Sequence, residues 1–303
     1  EITVGDDIYS EKSDGFIVSG YRQMCEEMDV RLVNLKEIGF KEVDCRGEVL
    51  EKVYISPLVL ESDLVINLPK LKTHSFTIFT GAVKNQFGCV PGLRKSQFHA
   101  RLANPFDFAA MLVDINTLIK PRLYIMDGIM AMEGNGPRSG RPKKLGIMLF
   151  SIDPIALDAI ACKIIDLDPE YVPTSKPGER ACLGTYHYEN IEVIGEDIDS
   201  LIDKDFDVVR KPPVVVTGGI IRRFINRQIS PKPFINNGKC TNCGICVRHC
   251  PVNPKALDWH TGDKDEPPNY KYDRCIRCFC CLELCAEGAI SVRETVFSRI
   301  LIR

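Results

Sequence analysis

The sequence predicts an N-terminal α/β domain, a parallel or mixed sheet flanked by helices, joined to a small cysteine-rich C-terminal domain. Two observations predict it. Apolar strand-like runs alternate with helix-like stretches from residue 1 to about 200, the pattern of a layered α/β unit. Nine of the fourteen cysteines fall between Cys240 and Cys285. A length of 303 residues suits two domains.

The strand-like runs are Arg31–Leu35, Val53–Ile55, Leu64–Leu68, Arg122–Met126, Leu145–Phe150 and Ile191–Ile194. Glu1–Val4 also reads as a strand, running into a Gly5-Asp6-Asp7 turn; because the chain begins with Glu, its true N-terminus is expected to be missing. Residues 16–28 carry apolar positions at helical spacing after Ser13-Asp14. Residues 105–119 and 154–166 open on Asn104-Pro105 and Asp153-Pro154, a side-chain cap followed by proline at the first helical position. Asp158 is an acid on an otherwise apolar helix and calls for a buried partner such as a lysine.

Residues 208–239 contain no Asp or Glu, while Arg210, Lys211, Arg222, Arg223, Arg227, Lys232 and Lys239 are basic and four prolines punctuate the stretch. Ile220, Ile221, Phe224, Ile225 and Ile229 recur at helical spacing. The expected boundaries are therefore an α/β domain over 1–207, a basic linker with one amphipathic helix over 208–235, and the cysteine domain over 236–303. The linker helix either packs on the first domain or docks to an acidic redox partner or a membrane surface.

Residues 240–251 and 275–286 both contain C-x2-C-x2-C-x3-C. This spacing lets three thiolates of one loop grip a cubane, while the fourth cysteine opens a helix and ligates the other cluster. The crossed assignment is Cys240, Cys243, Cys246 and Cys285 on the first 4Fe–4S cluster, and Cys275, Cys278, Cys281 and Cys250 on the second. Zinc would want two pairs rather than two quartets. Gly244 suits a close approach of backbone to sulfide, and Pro251 suits the first turn of a following helix. Cys280 is a spare thiol, and His249 a surface or supporting residue. Residues 236–293 resemble bacterial-type ferredoxin domains with two 4Fe–4S clusters. The resemblance implies a small α+β pseudo-twofold, ferredoxin-like unit and low-potential one-electron transfer.

Residues 67–88, NLPKLKTHSFTIFTGAVKNQFG, hold three lysines and a histidine without an acid. Lys70, Lys72 and His74 alternate as on one face of a strand, and Lys84 and Asn85 follow Gly81. Together they read either as a cradle for a carboxylate or phosphate, or as a solvated basic loop. No Walker-type phosphate loop is present. In DGIMAMEGNGPRSGRP, residues 127–142, Asp127 follows an apolar strand and Glu133 precedes a glycine loop, a place where α/β sheets hold ligands. The alternative there is a tight turn with ordinary surface acids.

INLPKLKTH, GAVKNQFG, DGIMAMEGNGP and SIDPIALDAIA, in this order and before a ferredoxin module, resemble the family called domain of unknown function 362. The resemblance covers about residues 1–200. It implies an architecture and a cluster count, not a reaction.

A net charge of −2 gives no basic field for nucleic acid, and no apolar run reaches the length of a membrane helix. Cluster loading and the further thiols Cys25, Cys45, Cys89, Cys162 and Cys182 suit a reducing cytoplasm and an anaerobic or microaerobic source. An export signal could precede Glu1. Three functions fit. In the first, the clusters pass electrons to a small anionic substrate or cofactor held by Lys70, Lys72, Asn85 and Asp127, with Lys84, His74 and Glu133 as catalytic groups of an iron–sulfur oxidoreductase. In the second, the chain is an electron-transfer adaptor docking to a redox partner protein, without catalysis of its own. The third, assembly or delivery of clusters, requires labile ligation and ranks last.

Overall fold

A computed structural model describes residues 1–7, 14–213, 231–259 and 265–293 of the chain. The expected linker helix lies outside the described residues. Strands β1 (Thr3–Asp6) and β2 (Arg31–Asn34) pair in parallel, with helices α1 (Gly15–Val18) and α2 (Tyr21–Glu27) between them. The single helix expected over 16–28 is thus two. Ser19 ends the first, and Gly20, at φ 79°, sits in the left-handed region that glycine enters without a Cβ penalty. Helix α3 (Leu35–Ile38) leads to the hairpin β3 (Lys41–Asp44) and β4 (Lys52–Ile55), and α4 (Pro57–Glu61) follows.

The central sheet is mixed. It comprises β5 (Ile66–Asn67), β6 (Lys70–His74), β7 (Ile78–Thr80), β8 (Leu123–Glu133) and β9 (Arg141–Ser151). The long β8 pairs in parallel with β5 and β6 and antiparallel with β9, and β7 turns back antiparallel on β6. Between β7 and β8 lie α5 (Ala82–Asn85), α6 (Gly92–Arg101) and α7 (Pro105–Ile119), and α8 (Pro154–Ile164) and α9 (Ser175–Arg180) come after β9. Both expected caps form. Asn104 accepts from Phe106 N at 2.9 Å, and Asp153 accepts from Ile155 N and Ala156 N at 2.8 Å each.

Two expectations fail here for physical reasons. Ile191–Ile194 is not a strand: no neighbouring strand pairs with it among the described residues, and Ile194 is 90% exposed. Asp158 takes no lysine partner. Its carboxylate accepts from Ala82 N at 2.6 Å and Val83 N at 3.2 Å, the free N–H groups that open α5. Burial pushes Asp158 up to about 7. Gly81 is required at this contact, because a Cβ there would lie 2.1 Å from Asp158 Oδ1.

The C-terminal region contains β10 (Lys232–Ile235), α10 (Ile245–Arg248), β11 (Leu257–Asp258), β12 (Asn269–Tyr270), α11 (Cys280–Leu284) and β13 (Ile290–Arg293). It does not float free of the α/β region. One apolar core contains Phe76, Val83, Phe108 and Met111 together with Val247, Phe279, Leu282 and Ile290. A second core, with Leu71, Met126, Leu157 and Ile160, fills the space between the sheet and α8. Among the described residues no helix is long and apolar enough to cross a membrane.

Candidate metal centre and the buried junction behind it

The C-terminal region is built from two half-units, each a strand, a cysteine loop, a one-turn helix and a strand. They exchange strands: β10 pairs with β13, and β11 with β12, both antiparallel. The backbone repeats as well. Asn242 and Gly244 flank Cys243 at φ 54° and 71°, and Arg277 and Phe279 flank Cys278 at φ 60° and 57°. Left-handed residues at matching places turn successive N–H groups into a concavity that favours anionic sulfur. Gly244 is fixed twice over, since a Cβ would also approach Trp259 Cη2 to 2.6 Å. The helices were expected after the fourth cysteine of each motif; they lie before it. C-x3-C spans one helical turn, and α10 and α11 each begin one residue before that interval and end before its last cysteine; Pro251 opens no helix.

Cys240, Cys243 and Cys246 of the first motif and Cys285 of the second line one concavity of about 380 Å³, measured to its open mouth, with Gly244 and Pro268 in its wall. Burial pushes the Cys246 thiol up to about 12, and Cys243, Cys285 and Cys240 reinforce it. The remaining thiols gather beside it. Cys275 is raised by burial and lies within electrostatic reach of Cys278 and Cys250; Cys281 is raised by burial and lies near Cys278 and Cys275, and also near Cys246 of the first quartet. Tyr270 Oη is 3.1 Å from Cys281 Sγ. Thiol quartets in apolar walls, under backbone curled toward them, fit iron–sulfur clusters, which thiolates bind and hydrogen bonds tune.

Behind the second quartet lies a polar junction that the sequence did not disclose. Glu283 stands on α11 between Cys281 and Cys285 and projects into the α/β region. Its Oε1 is sealed from solvent, although the side chain as a whole keeps 24% exposure. His74 Nε2 lies 3.1 Å from that oxygen, close but poorly aligned for a hydrogen bond, and His99 Nε2 lies 3.9 Å away. The alternation of β6 explains the arrangement: Leu71 enters the core against α8, so Lys72 and His74 face the opposite side. His99 comes from α6, one turn after Lys95, and Lys84 from the last turn of α5.

The protonation pattern follows from the contacts. Phe76 N and Thr77 N both donate to His74 Nδ1, at 3.0 and 3.4 Å, so the proton of the neutral ring is on Nε2, facing Glu283. Burial pushes His74 down to about 3, with nearby Lys84 adding to the effect, and pushes His99 down to about 4. Burial also pushes Lys84 down to about 8 against the pull of Glu283. Lys84 Nζ rests over the rings of Phe87 and Phe108, 5.5 and 5.7 Å from their centroids. Burial alone would raise Glu283, but His74, His99 and Lys84 outweigh it and hold the carboxyl well below its usual range. Two histidines and a carboxylate are donors that suit a metal, yet His74 Nε2 carries a proton. Among the described residues no three His, Cys, Asp or Glu side chains are placed to hold a single metal ion.

The family profile for the domain of unknown function (DUF362) matches residues 1–163, more than half of the chain. The chain belongs to the DUF362 family. A second profile, for a 4Fe–4S dicluster domain, matches residues 232–286. The thylakoid-associated protein sll1697 of Synechocystis sp. is 39% identical over 163 residues, 54% of this chain and 50% of the relative. NAD(P)H-quinone oxidoreductase subunit I of Gloeobacter violaceus is 30% identical over 94 residues, 29% of this chain and 45% of the relative. The same subunit of Leptolyngbya boryana is 29% identical over 77 residues, 25% of this chain and 39% of the relative. The chain spans half or less of the length of these curated relatives. No solved structure matches it. This DUF362 chain is therefore a 4Fe–4S iron–sulfur protein with a ferredoxin-type region suited to electron transfer.

In the DUF362 part, the structure splits the residues expected to form one site into four places. Lys72, His74 and Lys84 converge on Glu283. Lys70 pairs with Asp127, its partner across β6 and β8, at 2.6 Å, and Asp127 also accepts from Ile129 N at 2.9 Å. Asn85 donates to Asn67 at 2.7 Å beneath α5. Glu133 sits at the far end of β8, held by Arg141 at 3.2 Å and by Asp207 N at 3.0 Å. Sequence reasoning missed His99 and Glu283. Only Glu283 left a signal: an acid between two cluster cysteines adds negative charge to an anionic centre and so demands cations nearby.

Proposed function

We propose that the chain is an electron carrier with two 4Fe–4S clusters, bound crosswise, whose second cluster is seated against the DUF362 part at Glu283. Cys240, Cys243, Cys246 and Cys285 hold the first cluster; Cys275, Cys278, Cys281 and Cys250 hold the second. The observation that carries this reading is the concavity lined by three cysteines of one motif and one of the other. When bound, the clusters supply one-electron transfer. Cys243 is exposed, so the first cluster meets an external redox partner protein, and the second relays to the interior.

Delivery to a small anionic substrate or cofactor would need the lysines of residues 67–88 open. Lys70 faces Asp127, and Lys72 and Lys84 lie within electrostatic reach of Glu283. The positive charge is answered inside the chain, so the carrier reading is the better supported. The test is Cys285→Ser in anaerobically reconstituted protein. Crossed ligation predicts loss of about half the iron with disruption of the first cluster, while Cys275, Cys278, Cys281 and Cys250 keep the second. Loss of the second cluster instead would overturn the assignment.

A further inference from the structure

We infer that Lys84 is the residue whose charge compensates the electron on the second cluster, holding a proton at Nζ when that cluster is reduced. The inference rests on the two-cluster reading and concerns the junction behind it.

Geometry leaves Lys84 as the proton acceptor. His74 cannot take a second proton, because its Nδ1 already faces two backbone N–H groups. His99 is stacked on Phe108 at 4.3 Å between ring centroids, and neither of its ring nitrogens has a hydrogen-bond partner. Among the described residues nothing within hydrogen-bond distance stabilises an imidazolium there; Glu283 is 3.9 Å away. Lys84 lies under two aromatic faces, which attract a cation. The charged and titratable groups around it are Glu283 and Cys280 on α11, Lys72 and His74 on β6, and Lys95 and His99 on α6. Lys72 has a second anion, Asp6, at the end of β1, and Lys95 is paired with Asp7 at 2.7 Å. Among the described residues Glu283 is the carboxylate that acts on Lys84, and it stands on the one-turn helix that carries Cys281 into Cys285. An electron added to the second cluster therefore changes the field at Lys84 in a buried place, where charges are screened less than in water.

The step balances. A one-electron donor protein reduces the cluster, and one proton from water binds the Nζ lone pair, turning amine into ammonium; net charge is unchanged, and oxidation reverses both. Burial sets Lys84 at about 8. Below that pH it is charged in both redox states and raises the potential; above it, uptake accompanies reduction.

The experiment is an electron-paramagnetic-resonance redox titration of the anaerobic full chain between pH 7 and 10. The signal of the second cluster is identified by its survival in Cys285→Ser. In the wild type its potential is expected to fall above about pH 8 by up to tenfold in the reduction equilibrium per pH unit, about 59 mV for one electron. Lys84→Met should lower the potential and abolish the slope; Lys84→Arg should keep it high without a slope. The first cluster should not respond. Wild-type slope and potential in Lys84→Met, or their loss in Lys72→Met instead, would overturn the inference while the two-cluster reading stands. A wild type holding a single cluster would overturn that reading itself.

Discussion

Replacing Glu283 with alanine is expected to lower the unfolding free energy by about 3 kcal/mol, the size of effect seen when one member of a buried charge pair is removed. The carboxylate is the anion shared by Lys72 and Lys84, and His74 Nε2 faces it at 3.1 Å. Its loss leaves two buried cations and a buried donor without their common partner, in the place where the cluster helix meets the sheet. Glu283→Gln keeps the shape and an acceptor for His74 but not the charge, and should fall between. The two Glu283 variants differ only in shape and acceptor, so a difference between them separates charge from packing. Thermal unfolding followed by circular dichroism measures this. Wild-type stability in Glu283→Ala would show that the junction does not hold the two regions together.

The second large effect is on pH. His74 and His99 are held at about 3 and about 4 in the folded chain, against about 6.5 unfolded. Above about pH 6.5 both states leave them neutral, so their contribution is flat. As pH falls below that value, the unfolded chain binds two protons that the folded chain refuses. Their contribution then declines, approaching about 1.4 kcal/mol per pH unit for each histidine and about 2.7 for both. The Glu283 contribution is also lost with acid, but only below its unfolded pKa of about 4.3. Asp158 acts in the opposite sense: held at about 7 in the folded chain against about 3.9 unfolded, it takes up its proton in the folded chain alone as pH falls from 7 to 5, which offsets about one histidine. His99→Phe, which keeps the stack on Phe108, should therefore gain stability relative to the wild type as pH falls from 7 to 5, and a pH-independent difference between the two would contradict the buried neutral state of His99.

The parts of this structure legible in the sequence are those fixed by local spacing. Asn104-Pro105 and Asp153-Pro154 announce their helices because cap and first turn are adjacent residues. The cysteine octet announces its chemistry because each quartet lies within a dozen residues. Where local signals compete, the reading slips: Gly20 splits a helix whose apolar period continues through it, and Ile191–Ile194 has strand composition but, among the described residues, no strand to pair with. The junction was half legible. The lysines and histidine of residues 67–88 stood out as charge without a counter-ion. Their counter-ion lies roughly two hundred residues later, on a helix one turn long, and no local pattern links the two. The anion that these cations call for is one that the chain carries itself.

Two clusters on eight crossed cysteines, with the second set against Glu283, is the central claim. Iron and acid-labile sulfide counted per chain in anaerobically reconstituted wild-type protein test it most directly. The account predicts about eight of each, the content of two 4Fe–4S clusters. About four of each, or iron without sulfide, would contradict it.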